Sequence, residues 1–139
     1  MKMDSANTAE TFSYITRELK SRHPQLAYLH VVEPRADGVR DVEPGHGESL
    51  EFVAQLWAPK PLLVAGGHKR EDAEASTRKY SNSVAVYGRY FISNPDLVAR
   101  VRHGVEFTPY DRKTFYLPGP EHVEGYTSYP VEYGVEGKL

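Results

Sequence analysis

Two glycine-bearing turns and one arginine carry the chemistry that can be read from this 139-residue chain. Gly66-Gly67 follows the apolar run Leu62-Leu63-Val64-Ala65, and Gly88 follows Val84-Ala85-Val86-Tyr87. Each turn sits where a strand gives way to a loop. Glycine lets a ligand approach the backbone and permits φ > 0, so such turns can aim amide N–H groups at an anion. Arg89, beside the second turn, adds a planar fork of donors matched to phosphate. On spacing alone a second reading stays open, because glycine commonly punctuates strand ends and an arginine at a turn can simply face water.

Other groups offer less. The six histidines, His23, His30, His46, His68, His103 and His122, lack the i, i+4 spacing of a helical metal pair and read as ordinary polar residues, so no metal is assigned. The chain has no cysteine, which removes disulfides, thiolate catalysis and Cys-based metal sites. Glu33, two positions from Arg35, reads as an ion pair anchoring a loop rather than an acid/base pair. Lys69-Arg70-Glu71-Asp72 reads as the solvated start of a helix. With 17 basic and 19 acidic residues the net charge is -2, which argues against nucleic acid as a partner. The apolar run at Leu62 to Ala65 is far shorter than the roughly 20 residues that span a bilayer, so no membrane partner is expected. Met1-Lys2-Met3-Asp4-Ser5 lacks the apolar core of a signal peptide, and the cytoplasm is the expected location.

The elements that must position the turns follow from periodicity. Phe12, Ile15 and Leu19 share one face of a helix over Thr8 to His23, with Asn7 as its cap, Glu10 completing a capping box and Pro24 ending it. Leu26 to Val32 is apolar or aromatic almost throughout, which predicts a strand covered on both faces. Arg35 to Gly47 shows no periodicity and reads as a long surface loop. Leu50, Val53, Ala54 and Trp57 mark a second helix, Pro61 to Ala65 a second strand, Glu71 to Tyr80 a third helix and Val84 to Tyr87 a third strand. Asn94-Pro95-Asp96 then opens a helix, with Asn94 accepting the free amide protons and Pro95 in the first turn. Strands separated by helices must run parallel. The reading is therefore a single α/β domain over residues 1–139, with βα units over 8–103 and an irregular, aromatic-rich tail over 104–139 that holds Tyr110, Tyr116, Tyr126, Tyr129 and Tyr133. If the series ends a (β/α)8 barrel, the two glycine turns fall after the last two strands, where such barrels often bind phosphate.

Five segments carry a resemblance. They are Tyr28 to Arg35 (YLHVVEPR), Ala65-Gly66-Gly67, Val86 to Leu97 (VYGRYFISNPDL), Tyr110 to Tyr116 (YDRKTFY) and Glu124 to Pro130 (EGYTSYP). In order and spacing they resemble the C-terminal part of the old yellow enzyme family of FMN-dependent NAD(P)H oxidoreductases, which includes the 12-oxophytodienoate reductases and fungal ene-reductases. The resemblance implies a (β/α)8 TIM barrel with FMN at the carboxyl ends of the strands. It places the FMN phosphate at Gly66, Gly67, Gly88 and Arg89, and Phe115 and Tyr116 near the flavin and the substrate pocket. The loop opening with Pro34-Arg35 would shape the pocket rim. Where the family usually has Phe this chain has Tyr87, and where it often has Asp this chain has Ser128.

The same resemblance implies what is missing. A barrel of this kind needs about 250 residues and eight strands, whereas this sequence offers three, matching the sixth, seventh and eighth. The family's flavin-ring contacts, its histidine and asparagine pair for the substrate carbonyl and its proton-donating tyrosine lie on earlier strands, so no catalytic residue is assigned. Three parallel strands also leave two open edges. The expectation is a truncated homologue, inactive alone, holding at most the phosphate end of FMN. The full-length activity implied is NADPH-dependent reduction of activated alkenes such as enones, in settings that include fungal secondary metabolism and ergot alkaloid biosynthesis. Two alternatives stay open: half of a split barrel, active only with a separately encoded N-terminal half, and a small FMN or phosphate binder without turnover.

Overall fold

The computed structural model describes residues 5–33, 36–37, 40–41 and 49–133. The chain divides into two compact units, Met1–Val86 and Tyr87–Leu139. Among the described residues no helix is long and apolar enough to cross a membrane.

The first unit runs α1 (Ser5–Arg22), β1 (Leu29–Val32), β2 (Ala36–Asp37), β3 (Arg40–Asp41), α2 (Glu51–Trp57), β4 (Leu62–Ala65), α3 (Arg70–Lys79) and β5 (Ser83–Val86). β1, β4 and β5 form a parallel sheet in that order, with Leu29 opposite Leu62 and Leu62 opposite Ser83, and with Val32, Ala65 and Val86 level at the other end. Right-handed crossovers that always step to the next strand return each helix to the same face of the sheet. That face carries Leu29, Val31, Leu62 and Val64, which pack with Leu19 of α1, with Val53, Ala54 and Trp57 of α2, and with Tyr80. Trp57 is fully buried and its indole N–H donates to the Pro61 carbonyl at 2.9 Å. The Lys20 ammonium donates to the carbonyls of Leu56 and Ala58, which lie at the end of α2 where intrahelical partners run out.

Four local expectations are corrected here. α1 begins at Ser5, so Asn7 and Glu10 lie inside the helix and do not cap it. β1 starts at Leu29 and is not covered on both faces: His30 is exposed and Val32 is 60% exposed. The reason is that the helices share the opposite face, and Val84 of β5, on the same side as His30, is likewise 51% exposed. The expected loop over Arg35 to Gly47 contains a short antiparallel pair, β2 with β3, in which Ala36 faces Asp41. The fourth correction concerns Asn94, in the second unit.

That unit contains α4 (Arg89–Ser93), α5 (Leu97–His103) and a single 3-10 turn over Arg112–Thr114. α5 starts after Asp96 with no side-chain cap, and Pro95 lies outside it. Asn94 is fully buried and turned elsewhere. Its amide nitrogen donates to the carbonyls of Tyr90 (2.8 Å) and Thr108 (3.0 Å), and its amide oxygen accepts from the Thr108 N–H (2.7 Å). A side chain thus pairs with the backbone as a strand would. α5 ends at Gly104, whose φ of 69° permits the left-handed turn that returns its N–H to the helix.

Candidate functional site

The two glycine turns have different physical origins. Gly66 follows β4 with φ +141°, and a Cβ placed there would lie 2.9 Å from Glu33 Cβ and 3.2 Å from Glu33 N. Glu33 is buried and its N–H donates to the Ala65 carbonyl at 2.7 Å, continuing the sheet one residue past β1. Gly66 is therefore required by the close approach of the neighbouring chain. Gly67 has φ +63°, a left-handed backbone that favours glycine.

Gly88 has neither constraint. Its φ is -108°, and among the described residues nothing lies within 4 Å of where a Cβ would sit. Open space on this flank among the described residues would admit a ligand that approaches the backbone. Arg89 follows, half-buried, its guanidinium carbon 5.2 Å from the centroid of the Tyr110 ring. Glycine backbone at Gly88 beside the Arg89 guanidinium is a donor set of a kind that suits a phosphate monoester.

Phe115 and Tyr116 are adjacent in sequence but differ in role. Phe115 is buried in a row of rings, 5.7 Å from Tyr110 and 5.8 Å from Tyr126. The row continues from Tyr110 to Tyr90 (5.0 Å), Phe107 (5.4 Å) and Tyr87 (5.7 Å), all within the range for favourable ring pairs. Tyr116 is 75% exposed and has φ +61°, the one positive value outside glycine among the described residues. Such a conformation costs of order 1–3 kcal/mol and collects at functional sites. Pro34 and Arg35, expected at a pocket rim and in an ion pair with Glu33, lie outside the described residues. Ser128 accepts a hydrogen bond from the Gly125 N–H at 2.9 Å and so closes the turn of the fifth segment.

Sequence reasoning missed a buried polar network and the ring that lies beside Arg89. Asp96 accepts from Arg100 Nε (2.8 Å) and from the N–H groups of Glu132 (2.9 Å) and Tyr133 (2.8 Å). Burial alone would raise the Asp96 pKa, but the hydrogen bonds from Arg100 and the two amides outweigh it and hold the carboxyl below its usual value. Arg100 also donates to the Glu106 carbonyl (2.8 Å) and Glu132 Oε2 (2.6 Å), and it lies 5.0 Å from the Tyr133 ring centroid. Burial works to lower its pKa, yet the Asp96 and Glu132 carboxylates raise it. The i, i+4 spacing of Asp96 and Arg100 was a visible signal; the pairing of Arg89 with Tyr110, 21 positions apart, left none.

Known proteins resemble this chain in sequence and in fold. The sequence profile of the NADH:flavin oxidoreductase / NADH oxidase family matches residues 1–107. A chanoclavine-I aldehyde reductase of Penicillium roqueforti is 42% identical over 111 residues, covering 75% of this chain and 28% of the relative. A protein of Epichloe festucae var. lolii described as a "probable inactive reductase" is 36% identical over 131 residues, covering 86% and 33%. The structure of morphinone reductase in complex with tetrahydroNAD superposes with a TM-score of 0.69 at 30% identity, covering 94% of this chain and 32% of that one. The chain spans about a third of the length of the curated relatives it matches. It belongs to the NADH:flavin oxidoreductase / NADH oxidase family, that of the old yellow enzyme, and its parallel strands and helices correspond to the C-terminal part of the family's (β/α)8 TIM barrel.

Proposed function

We propose that these 139 residues hold the phosphate end of FMN through the backbone at Gly66, Gly67 and Gly88 and the guanidinium of Arg89, with Phe115 and Tyr116 on the substrate side. The observation that carries this reading is Gly88, whose φ of -108° does not call for glycine and whose flank, among the described residues, is open beside an arginine. Gly67 adds a left-handed backbone suited to presenting an amide. Bound FMN supplies hydride transfer, drawn from NAD(P)H and delivered to an activated alkene such as a small enone. This chain's part in that activity is to bind and orient; the proton donor and the carbonyl-binding pair belong to the two-thirds of the relatives that it does not match. These residues alone give no turnover. A cytoplasmic location and a role in fungal secondary metabolism, with ergot alkaloid biosynthesis as the instance, go with the family reading.

A second reading is favoured by one observation. The sheet presents Val32 and Val84 to solvent on the face away from the helices, and β1 and β5 each pair on one side only among the described residues. Unpaired edges and an uncovered apolar face suit completion by further strands, supplied as an N-terminal half.

The test is binding followed by turnover. FMN and riboflavin differ by the phosphate, so the chain should bind FMN more tightly, and Arg89→Ala should remove the difference. NADPH-dependent reduction of cyclohexenone should be absent for the chain alone. Its appearance on mixing with the N-terminal two-thirds of a relative supports the split barrel; stoichiometric turnover by the chain alone sinks the reading.

A further inference from the structure

We infer that Thr114 is a positioning residue for Tyr116: its hydroxyl clasps the turn that carries Tyr126, and the clasp holds the Tyr116 ring toward flavin and substrate. The inference rests on the proposal that Phe115 and Tyr116 lie on the substrate side. Tyr116 has φ +61°, and a residue other than glycine keeps such a backbone only where its surroundings over-determine it. On the N-terminal side the constraint is a short turn. The Asp111 carboxylate accepts the Lys113 N–H (2.9 Å) and the Phe115 N–H donates to the Arg112 carbonyl (3.2 Å), so the turn over Arg112–Thr114 closes directly before the buried Phe115. Tyr116 comes next, with its ring exposed to a ligand.

Residues 123–128 make a second turn, in which the Tyr126 and Thr127 N–H groups donate to the Val123 carbonyl (3.2 and 2.9 Å) and the Gly125 N–H to Ser128 Oγ (2.9 Å). The two turns meet at Thr114. Its Oγ1 lies 2.7 Å from the Gly125 carbonyl and 2.7 Å from the Asp111 carbonyl, so its one proton ties the second turn to the start of the first. Sterics point the same way independently. Gly125 has φ +69°, and a Cβ there would lie 2.7 Å from both Thr114 Cγ2 and Thr114 Oγ1, so only glycine lets the turns come this close. Tyr126, the next residue, has its ring centroid 5.8 Å from that of Phe115 and 6.1 Å from that of Tyr116, inside the range of favourable ring pairs. Thr114 is two residues from Tyr116 and Gly125 one from Tyr126, so the clasp fixes the separation of the two rings from both sides.

The experiment uses the 139-residue chain, with FMN as the probe and nuclear magnetic resonance as the readout. Without FMN, Tyr116 should give the strong amide-to-Hα Overhauser effect of a positive φ, and its ring protons should show cross-peaks to those of Tyr126. Absence of either signature in the wild type overturns the inference before any variant is made. With FMN, ring current from the isoalloxazine should shift the Tyr116 ring protons. Thr114→Val, which keeps the branched shape and removes the hydroxyl, should lose both signatures and the FMN-induced shift while FMN affinity, carried by the phosphate end, stays as in the wild type. Thr114→Ser, which keeps the hydroxyl, should retain all three. Gly125→Ala, which wedges the turns apart, should lose what Thr114→Val loses. A folded Thr114→Val chain that keeps the signatures and the shift overturns the positioning role and leaves the site reading standing, and one that loses FMN affinity as well shows a merely structural role and also overturns it. A wild-type chain that binds no FMN, or whose Tyr116 signals stay in place when it does, overturns the site reading itself.

Discussion

In the unit Met1–Val86 the buried residues are mostly apolar or aromatic, with Val53, Ala54, Trp57, Leu62, Val64 and Tyr80 packed as one cluster between sheet and helices and the polar Thr16, Glu33 and His68 buried apart from it. Among the described residues of the unit Tyr87–Leu139 the buried hydrophobics are Leu97 and Phe115, beside the buried polar residues Ser93, Asn94, Asp96 and Arg100. Apolar burial is non-directional and tolerates exchange of shape, whereas a buried polar network holds only while every member is satisfied. The segment that makes the family resemblance so specific, GRYFISNPDL, lies in the second unit. Much of its sequence is there to satisfy buried polar groups: Ser93 and Asn94 reach Thr108, and Asp96 reaches Arg100 and the tail amides. A distinctive motif can thus be a folding device.

The largest expected effects probe the two interiors. Arg100→Ala should cost about 3–5 kcal/mol, because it leaves the Asp96 carboxylate buried without its counter-charge. Trp57→Ala should cost a similar ~3–5 kcal/mol in the first unit, by an apolar cavity. The two should differ in acid. Asp96 has a lowered folded pKa, so its contribution is complete above its unfolded value of about 4 and is lost as pH falls through the folded value. Denaturant unfolding followed by tyrosine near-ultraviolet dichroism suits the comparison, since seven of the ten tyrosines lie beyond Val86. Trp57→Ala should keep the wild-type acid limb and Asp96→Asn should flatten it. An unchanged limb in Asp96→Asn breaks the contrast between the units.

Much of the first unit was legible because its cause is local. The i, i+3, i+4, i+7 spacing that buries Val53, Ala54 and Trp57, and the short run that forms β4, are properties of adjacent residues. The sequence pattern misled where the deciding partner was distant. Asn94-Pro95-Asp96 has the residue types of a helix start, but the Asn94 amide goes to Thr108, 14 positions away, and Asp96 to amides 36 and 37 positions away. β1 looked buried on both faces because Val31 and Val32 are equally apolar, and nothing local tells which of them meets the helices. For the candidate site, the glycine turns were legible as punctuation, but which glycine the chain itself requires depends on Glu33 and could not be read from spacing.

Gly66→Ala comes next in size. With φ +141° and Glu33 Cβ at 2.9 Å, the added methyl should destabilise by roughly 1–3 kcal/mol whether or not FMN is present. The same transition measured with and without saturating FMN decides it: a loss that FMN fully restores would mean that the strain is not in the chain.

Gly88→Ala should be the smallest in stability and the most informative about function. Nothing among the described residues meets the added methyl, and φ -108° is open to alanine, so the change should stay within about 0.5 kcal/mol of wild type. The methyl would occupy the flank proposed for the phosphate, so FMN should bind more weakly while riboflavin is unaffected. The pair of glycine variants then separates two causes of one sequence feature: Gly66→Ala harms the fold ahead of the ligand, and Gly88→Ala harms the ligand and spares the fold. If Gly88→Ala binds FMN like the wild type, its open flank is not where the phosphate sits, and the two turns differ only in how tightly the chain packs around them.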